Sequence, residues 1–116
     1  MPAERIVKPW GLYDYPFAEE GTHPVLIISN GLRCANSAFE HLNGLFCRSI
    51  RPQFQPKDFH VVLNEADGLD HGTVVRCDYI YALRRDLIGT HYGTVIRARR
   101  SAIFRKLMQW FEWPPT

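Results

Sequence analysis

The stretch Thr73-Val74-Val75-Arg76-Cys77-Asp78-Tyr79-Ile80-Tyr81 follows a glycine and is rich in β-branched and aromatic residues, a composition that suits a pleated, half-buried strand. Side chains alternate along a strand, so Arg76, Asp78 and Ile80 share one face while Val75, Cys77 and Tyr79 share the other. Two opposite charges thereby come to stand side by side on an otherwise apolar element. Upstream, Val25-Leu26-Ile27-Ile28 closes on Ser29-Asn30-Gly31 and reads as a buried strand ending in a turn. Leu45 to Ile50 and Phe59 to Leu63 read as further strands, and Pro52 and Pro56 confine the segment between them to a loop or a sheet edge.

Downstream the period changes. Ile103, Phe104, Leu107, Met108 and Phe111 recur at helical spacing, which predicts an amphipathic helix from about Arg97 to Glu112, packed on the sheet and stopped by Pro114 and Pro115. Arg97, Arg99 and Arg100 fall in its first turn, where the helix dipole disfavours positive charge. Such a placement either serves an anionic ligand or is a solvated face. From Arg84 to Lys106 the chain carries seven basic residues and one acid, Asp86, so the last third presents a positive field although the formal net charge is only +2.

At 116 residues the whole chain, 1–116, is expected to form a single domain able to bury a core without a metal or disulfide staple. It has neither the apolar run of a signal peptide nor the roughly 20 apolar residues of a membrane span, so a cytoplasmic location is expected. Cys34, Cys47 and Cys77 lack CxxC spacing and read as reduced, buried thiols. His41, His60, His71 and His91 show no metal-ligand spacing, so no metal site and no cofactor are expected.

Two blocks together resemble the MazF/PemK toxin family. Gly21-Thr22-His23-Pro24-Val25-Leu26-Ile27-Ile28-Ser29-Asn30 is similar to its GxRPVLVVSN segment. Asp67-Gly68-Leu69, then Gly72 through Ile80, then Leu83-Arg84-Arg85 resemble its strand ending VxCDQI and the arginine-leucine stretch beyond. Arg48-Ser49 stands where members usually show a threonine-serine pair. Two departures lie close by: Phe17-Ala18 replaces a polar pair that faces RNA, and His23 replaces an arginine.

The resemblance implies a mainly β fold with a C-terminal α-helix: a small, strongly curved antiparallel sheet or SH3-like barrel, shared with the CcdB toxins. It implies a type II toxin that cleaves single-stranded RNA without metal, leaving a 2′,3′-cyclic phosphate and a 5′-hydroxyl. An antitoxin partner and a homodimer are implied too. By the same resemblance Asp78 is the candidate base, Arg76 the phosphate clamp, His23 the acid and Ser49 a hydrogen-bond donor to phosphate. Thr22, Arg48, Arg51 and Arg84 are the expected RNA contacts. An arginine suits phosphate because its planar fork of donors stays charged, whereas an imidazole can exchange protons near neutrality.

Other readings stay open at this point. Arg76 and Asp78 can be a surface ion pair, His23 a structural histidine, and Trp10, Tyr13, Tyr15 and Phe17 core residues rather than base-stacking ones. A gyrase-poisoning toxin of the CcdB kind and an inactive antitoxin-binding homologue are the rival functions. The basic third of the chain further suggests that RNA and an acidic, disordered antitoxin tail compete for one surface, with Arg97, Arg99 and Arg100 in it.

Overall fold

The computed structural model describes residues 6–114; Pro115, one of the two expected helix stops, lies outside them. Among the described residues seven antiparallel strands form one sheet: β1 (Gly11–Phe17), β2 (Gly21–Ile27), β3 (His41–Ser49), β4 (His60–Leu63), β5 (Thr73–Arg76), β6 (Tyr81–Arg84) and β7 (His91–Thr94). A short helix α1 (Gly31–Ala35) follows β2, and α2 (Arg97–Trp110) follows β7. The order across the sheet is β4-β5-β3-β2-β1-β7, with β6 also bonded to β3. The expected mainly β architecture with a C-terminal helix is therefore present.

Both faces of the sheet are covered, which explains the uninterrupted apolar run in β2. Val25 and Ile27 join Tyr13, Tyr15, Phe17, Leu42, Phe46 and Leu83 on one face. Leu26 joins Leu12, Leu45, Cys47, Leu63, Val75, Cys77 and Ile103 on the other. Among the described residues, 21 of the 22 buried hydrophobic side chains, all but Val74, thus divide into two cores that share the strands β1, β2 and β3, and period-2 alternation sorts the strand side chains to their cores.

The long strand expected over residues 73–81 is in fact two strands with a break. β5 pairs with the second half of β3, Cys47↔Val75 to Ser49↔Thr73, and β6 with the first half, Gly44↔Tyr81 to His41↔Arg84. Between these registers β3 has two residues, 45 and 46, where the opposing chain has five, 76–80. The surplus is thrown out of the ladder, as in an enlarged β-bulge, and it carries Asp78 and Tyr79. β3 itself begins at His41, four residues before the expected Leu45. The turn after β2 proves to be the start of α1, where the Asn30 side chain accepts a hydrogen bond from the Arg33 N–H. Neither α1, β1 nor β7 was expected.

The helix α2 packs by a narrow edge. Ile103 is buried and Leu107 partly so, but Phe104, Trp110 and Phe111 are exposed, so the expected apolar face is only half used. Two of its arginines are also accounted for within the fold. Asp67, whose side chain is fully buried, accepts Arg99 Nε at 2.6 Å and the Ile96 N–H at 2.9 Å. Arg99 Nη2 reaches Asn64 Oδ1, and Arg100 Nε donates to the Val95 carbonyl while its guanidinium lies 5.7 Å from the Trp10 ring. A carboxylate from a distant loop therefore supplies the negative charge that the helix start lacks in sequence. Of the three arginines expected to face a ligand, two are structural.

Candidate functional site

The loop that carries Asp67 is itself held by a close approach of backbones. Gly68 sits at φ +87°, and a Cβ there would come within 2.9 Å of Gly93 Cα. At Gly93, a Cβ would meet the Asp67 carbonyl oxygen at 2.3 Å. Only glycine fits at either position, and the pair fixes residues 64–72 against β7.

Arg76 ends β5 and Asp78 lies in the surplus that follows. They meet in a bidentate pair, Nε to Oδ1 at 2.8 Å and Nη2 to Oδ2 at 3.0 Å. This hydrogen-bonded guanidinium holds the Asp78 carboxyl below its usual range, and Asp78 in turn raises the pKa of Arg76. A small pocket of about 140 Å³ opens beside them, lined by Phe46, Arg48, Phe54, Lys57, Phe59, His60 and Arg76. The Arg76 guanidinium lies 5.2 Å from the Phe59 ring and Lys57 Nζ 6.0 Å from it, both within cation–π reach.

His60, one of the histidines without metal-ligand spacing in the sequence, stands opposite Arg76 in the β4–β5 register. Its Nδ1 accepts the Lys57 N–H at 2.9 Å, which leaves the proton of the neutral ring on Nε2. Burial lowers its pKa, and the nearby positive charge of Arg76 lowers it further. Glu20, from the β1–β2 turn, contributes to the field at Arg76 and at Tyr81, whose pKa is raised chiefly by burial.

His23 belongs to the same aromatic neighbourhood. Its ring lies 4.9 Å from that of Phe46, which contacts Phe17 and Tyr81. Nε2 is within 3.0 Å of the Glu20 carbonyl, an acceptor that calls for an N–H on that nitrogen. Phe17, exposed to RNA by the family pattern, is 8% accessible and part of the core. Tyr13 and Tyr15 are core residues too.

Ser49 is not in this group. It follows Arg48 on β3, so its side chain leaves the opposite face, and its Oγ lies 2.7 Å from His71 Nε2. His71 Nδ1 is bonded in turn to the Asp70 carboxylate. The three form one chain along a separate groove of about 470 Å³, bounded also by Pro24, Leu69, Thr73 and Tyr92. The Tyr92 hydroxyl bonds Asp14, which raises its pKa to about 12. Sequence reasoning missed His71 and Asp70 because nothing links position 71 to position 49 until β3 and β5 pair.

The remaining expected contacts disperse. Arg84 is paired with Asp86 at 2.7 Å and lines a cavity of about 360 Å³ with Ser37, Glu40 and His41. It stands opposite His41, about 20 Å along β3 from Arg48 at roughly 3.3 Å per residue. Thr22 and Arg51 are exposed, Thr22 on β2 and Arg51 in the turn after β3. Among the described residues no cluster of His, Cys, Asp and Glu is arranged to hold a metal ion, and no helix is long and apolar enough to cross a membrane.

No curated protein matches the sequence. Solved structures do. An endoribonuclease in complex with its cognate antitoxin, from a mycobacterial species, superposes with a TM-score of 0.77 at 23% identity, covering 95% of this chain and 99% of its own. A second mycobacterial endoribonuclease gives 0.76 at 20% identity, covering 99% and 100%. A MazE–MazF structure from Deinococcus radiodurans gives 0.72 at 16%, covering 93% and 97%. At these identities the likeness establishes the fold, a curled antiparallel half-barrel with one terminal helix. The family model of the PemK-like, MazF-like toxins matches residues 12–111. That match takes in every strand but the first residue of β1, and the whole of α2, so the chain belongs to the PemK-like, MazF-like toxin family of type II toxin–antitoxin systems.

Proposed function

We propose that this protein is a toxin endoribonuclease that cleaves single-stranded RNA without a metal ion, leaving a 2′,3′-cyclic phosphate and a 5′-hydroxyl. The observation that carries the reading is Arg76, braced by Asp78 and lying over Phe59 in a pocket with Arg48, Lys57 and His60. Cations interleaved with aromatic rings suit a single strand, whose phosphates seek charge and whose bases seek stacking surfaces. Arg76 spends two of its five N–H donors on Asp78 and keeps three for phosphate. The same groups can stabilise the charge that builds on the phosphoryl oxygens as the 2′-oxygen attacks.

The role of Asp78 follows from its pairing. A carboxylate already held by a guanidinium and shifted below its usual range is a weak base, so Asp78 orients Arg76 rather than taking the ribose proton. Neutral His60 offers an N–H at Nε2 and so acts as a hydrogen-bond donor to phosphate. His23 commits Nε2 to the Glu20 carbonyl, so in the acid role its imidazolium would give the proton from Nδ1. Arg51 and Thr22 extend the RNA track, whereas Arg84 lies too far along β3 to share it.

The protein acts as a homodimer in this reading, silenced by an antitoxin. Phe104, Phe111 and Trp113 are 50–64% exposed, more apolar surface on one short segment than a lone chain of this size needs, and suited to a second copy or a partner. The test is incubation of purified protein with a long RNA in chelator-containing buffer, with end analysis of the products. Cyclic phosphates from the wild type, and a rate at least about a hundredfold lower for Arg76→Ala, are expected. Intact RNA in the presence of folded wild-type protein would overturn the reading and leave a non-nucleolytic toxin.

A further inference from the structure

We infer that Tyr79, backed by Tyr81, is the stacking surface for the RNA base next to the phosphate that Arg76 holds. The inference rests on the endoribonuclease reading above and adds to it a base subsite on the β6 side of Arg76, away from the pocket of Arg48, Lys57 and His60.

Strand parity brings the two rings to the Arg76 face. On β3, Phe46 belongs to one core while Leu45 and Cys47 belong to the other. Arg76 projects on the Phe46 side, since Phe46, Arg48, Val74 and Arg76 line one pocket. β5 and β6 read in opposite parity: Val75 lies in the Cys47 core, whereas Leu83 lies in the Phe46 core. The cause is the surplus at 76–80, where five residues face two across β3. That excess is odd, and an odd excess inverts the side that an odd-numbered residue takes. On an unbroken strand Tyr79 and Tyr81 would follow Cys77 into the other core. Instead Tyr81 packs against the Phe46 core, its ring 5.1 Å from that of Phe17 and 6.4 Å from that of Phe46, and the Tyr79 ring lies 4.7 Å from that of Tyr81.

The two tyrosines divide the work of a platform. Tyr81 is anchored by the core rings, while Tyr79 is 56% exposed on a segment outside the ladder, where its π-face is open to any base. The platform also stands beside the phosphate site. Tyr81 and Arg76 act on one another's proton affinity, after Asp78 and burial in the case of Arg76 and after burial and Glu20 in the case of Tyr81.

Charge separates the two sides of Arg76. Toward β4 stand Arg48, Lys57 and His60, hydrogen-bond donors suited to phosphate oxygens. Toward β6 the field is mixed: Glu20 adds negative charge at the Tyr81 hydroxyl, and the Arg76 charge is offset by its bidentate pairing with Asp78. Carboxylates beside aromatic rings repel a phosphate but not the neutral face of a base. A single strand satisfies both sides by laying its backbone along the cations and turning a base onto Tyr79.

The experiment maps the wild-type cleavage site on a long RNA, then uses an oligoribonucleotide spanning it, made non-cleavable by a 2′-deoxy sugar and either intact or abasic at one position at a time. Affinity, kcat, KM and thermal midpoint are measured for wild type, Tyr79→Ala and Tyr79→Phe. Tyr79→Ala should bind the intact oligonucleotide about five- to a hundredfold more weakly, the scale of one lost base–aromatic stack. Its KM should rise by a like factor with kcat within about threefold of wild type, and its midpoint should stay close to wild type because the side chain is exposed. Tyr79→Phe, which keeps the ring, should match wild type. At one position beside the scissile phosphate, removing the base should weaken wild type as much as Tyr79→Ala does and weaken Tyr79→Ala little further. A Tyr79→Ala affinity and KM within about twofold of wild type would overturn the inference while leaving the endoribonuclease reading intact. So would a Tyr79→Phe variant as weak as Tyr79→Ala, or base removal that costs both proteins equally at every position. A folded wild type that leaves RNA uncut would overturn both.

Discussion

Removing the carboxylate of Asp67 tests whether the C-terminal helix is held mainly by its first turn or by its apolar edge. The Asp67 side chain is fully buried and accepts three hydrogen bonds: from Arg99 Nε at 2.6 Å, the Ile96 N–H at 2.9 Å and the Asn64 N–H at 3.1 Å. Asp67→Ala leaves all three donors without that partner. Breaking a buried ion pair by deleting one member costs about 3–5 kcal/mol when the other charge stays dry. Arg99 is 24% exposed and keeps its Nη2 bond to Asn64, so water recovers part of the loss, and a cost of about 2–4 kcal/mol is expected.

For a chain of this length that corresponds to a fall in thermal midpoint of roughly 8–16 °C, taking about 4 °C per kcal/mol. Urea unfolding of Asp67→Ala, Arg99→Met and the double variant supplies the assay, since the cycle isolates the coupling of the pair. Amide exchange should rise first in the opening turn of α2 and in residues 64–72. A loss below about 1 kcal/mol with coupling near zero would refute the reasoning, and would mean that Ile103 and Leu107 dock the helix unaided.

Gly93→Ala should destabilise by about 1–3 kcal/mol, because its Cβ would meet the Asp67 carbonyl oxygen at 2.3 Å and backbone must move; a midpoint unchanged in urea would show that the loop yields freely. His60 has a folded pKa lowered from 6.5 by burial and by Arg76. The folded state therefore binds fewer protons there, and the stability it contributes is present above 6.5 and is lost as pH falls through the folded pKa. Between about pH 7 and about pH 5 the wild type should lose stability more steeply than His60→Gln, and parallel profiles would contradict this. Cys34, Cys47 and Cys77 are all buried, with burial raising each pKa, that of Cys77 to about 12. None should react with a thiol-specific reagent in the native protein while all three react in denaturant; rapid native labelling of any of them would show an opening of its core.

What the sequence showed and what it hid divide along one physical line. Patterns that repeat along the chain were legible: the buried strand through Val25–Ile27, the β character of Thr73–Arg76, the terminal helix, and the proximity of Arg76 and Asp78. The reason given for that proximity was nevertheless mistaken. The two meet because five residues face two across β3 and Asp78 is expelled toward Arg76, not because they alternate on a regular strand.

Features that depend on a partner far along the chain were hidden. Arg99 at the start of α2 looked uncompensated only because its acid, Asp67, lies 32 positions earlier, and 0% exposure of the Asp67 side chain shows how completely the fold absorbs it. That correction narrows the shared-surface idea: Arg99 and Arg100 are engaged within the fold, which leaves Arg97 and the cluster of Arg48, Lys57 and Arg76 as the cations it would rest on. The family pattern likewise puts Ser49 at the end of a strand, where β3 does end, but could not give its direction. Direction is set by strand parity, which sends Arg48 to one pocket and Ser49 to the other, and it is this parity that brings a serine to a histidine 22 positions away. A motif transfers position; which neighbour a side chain reaches follows only from register.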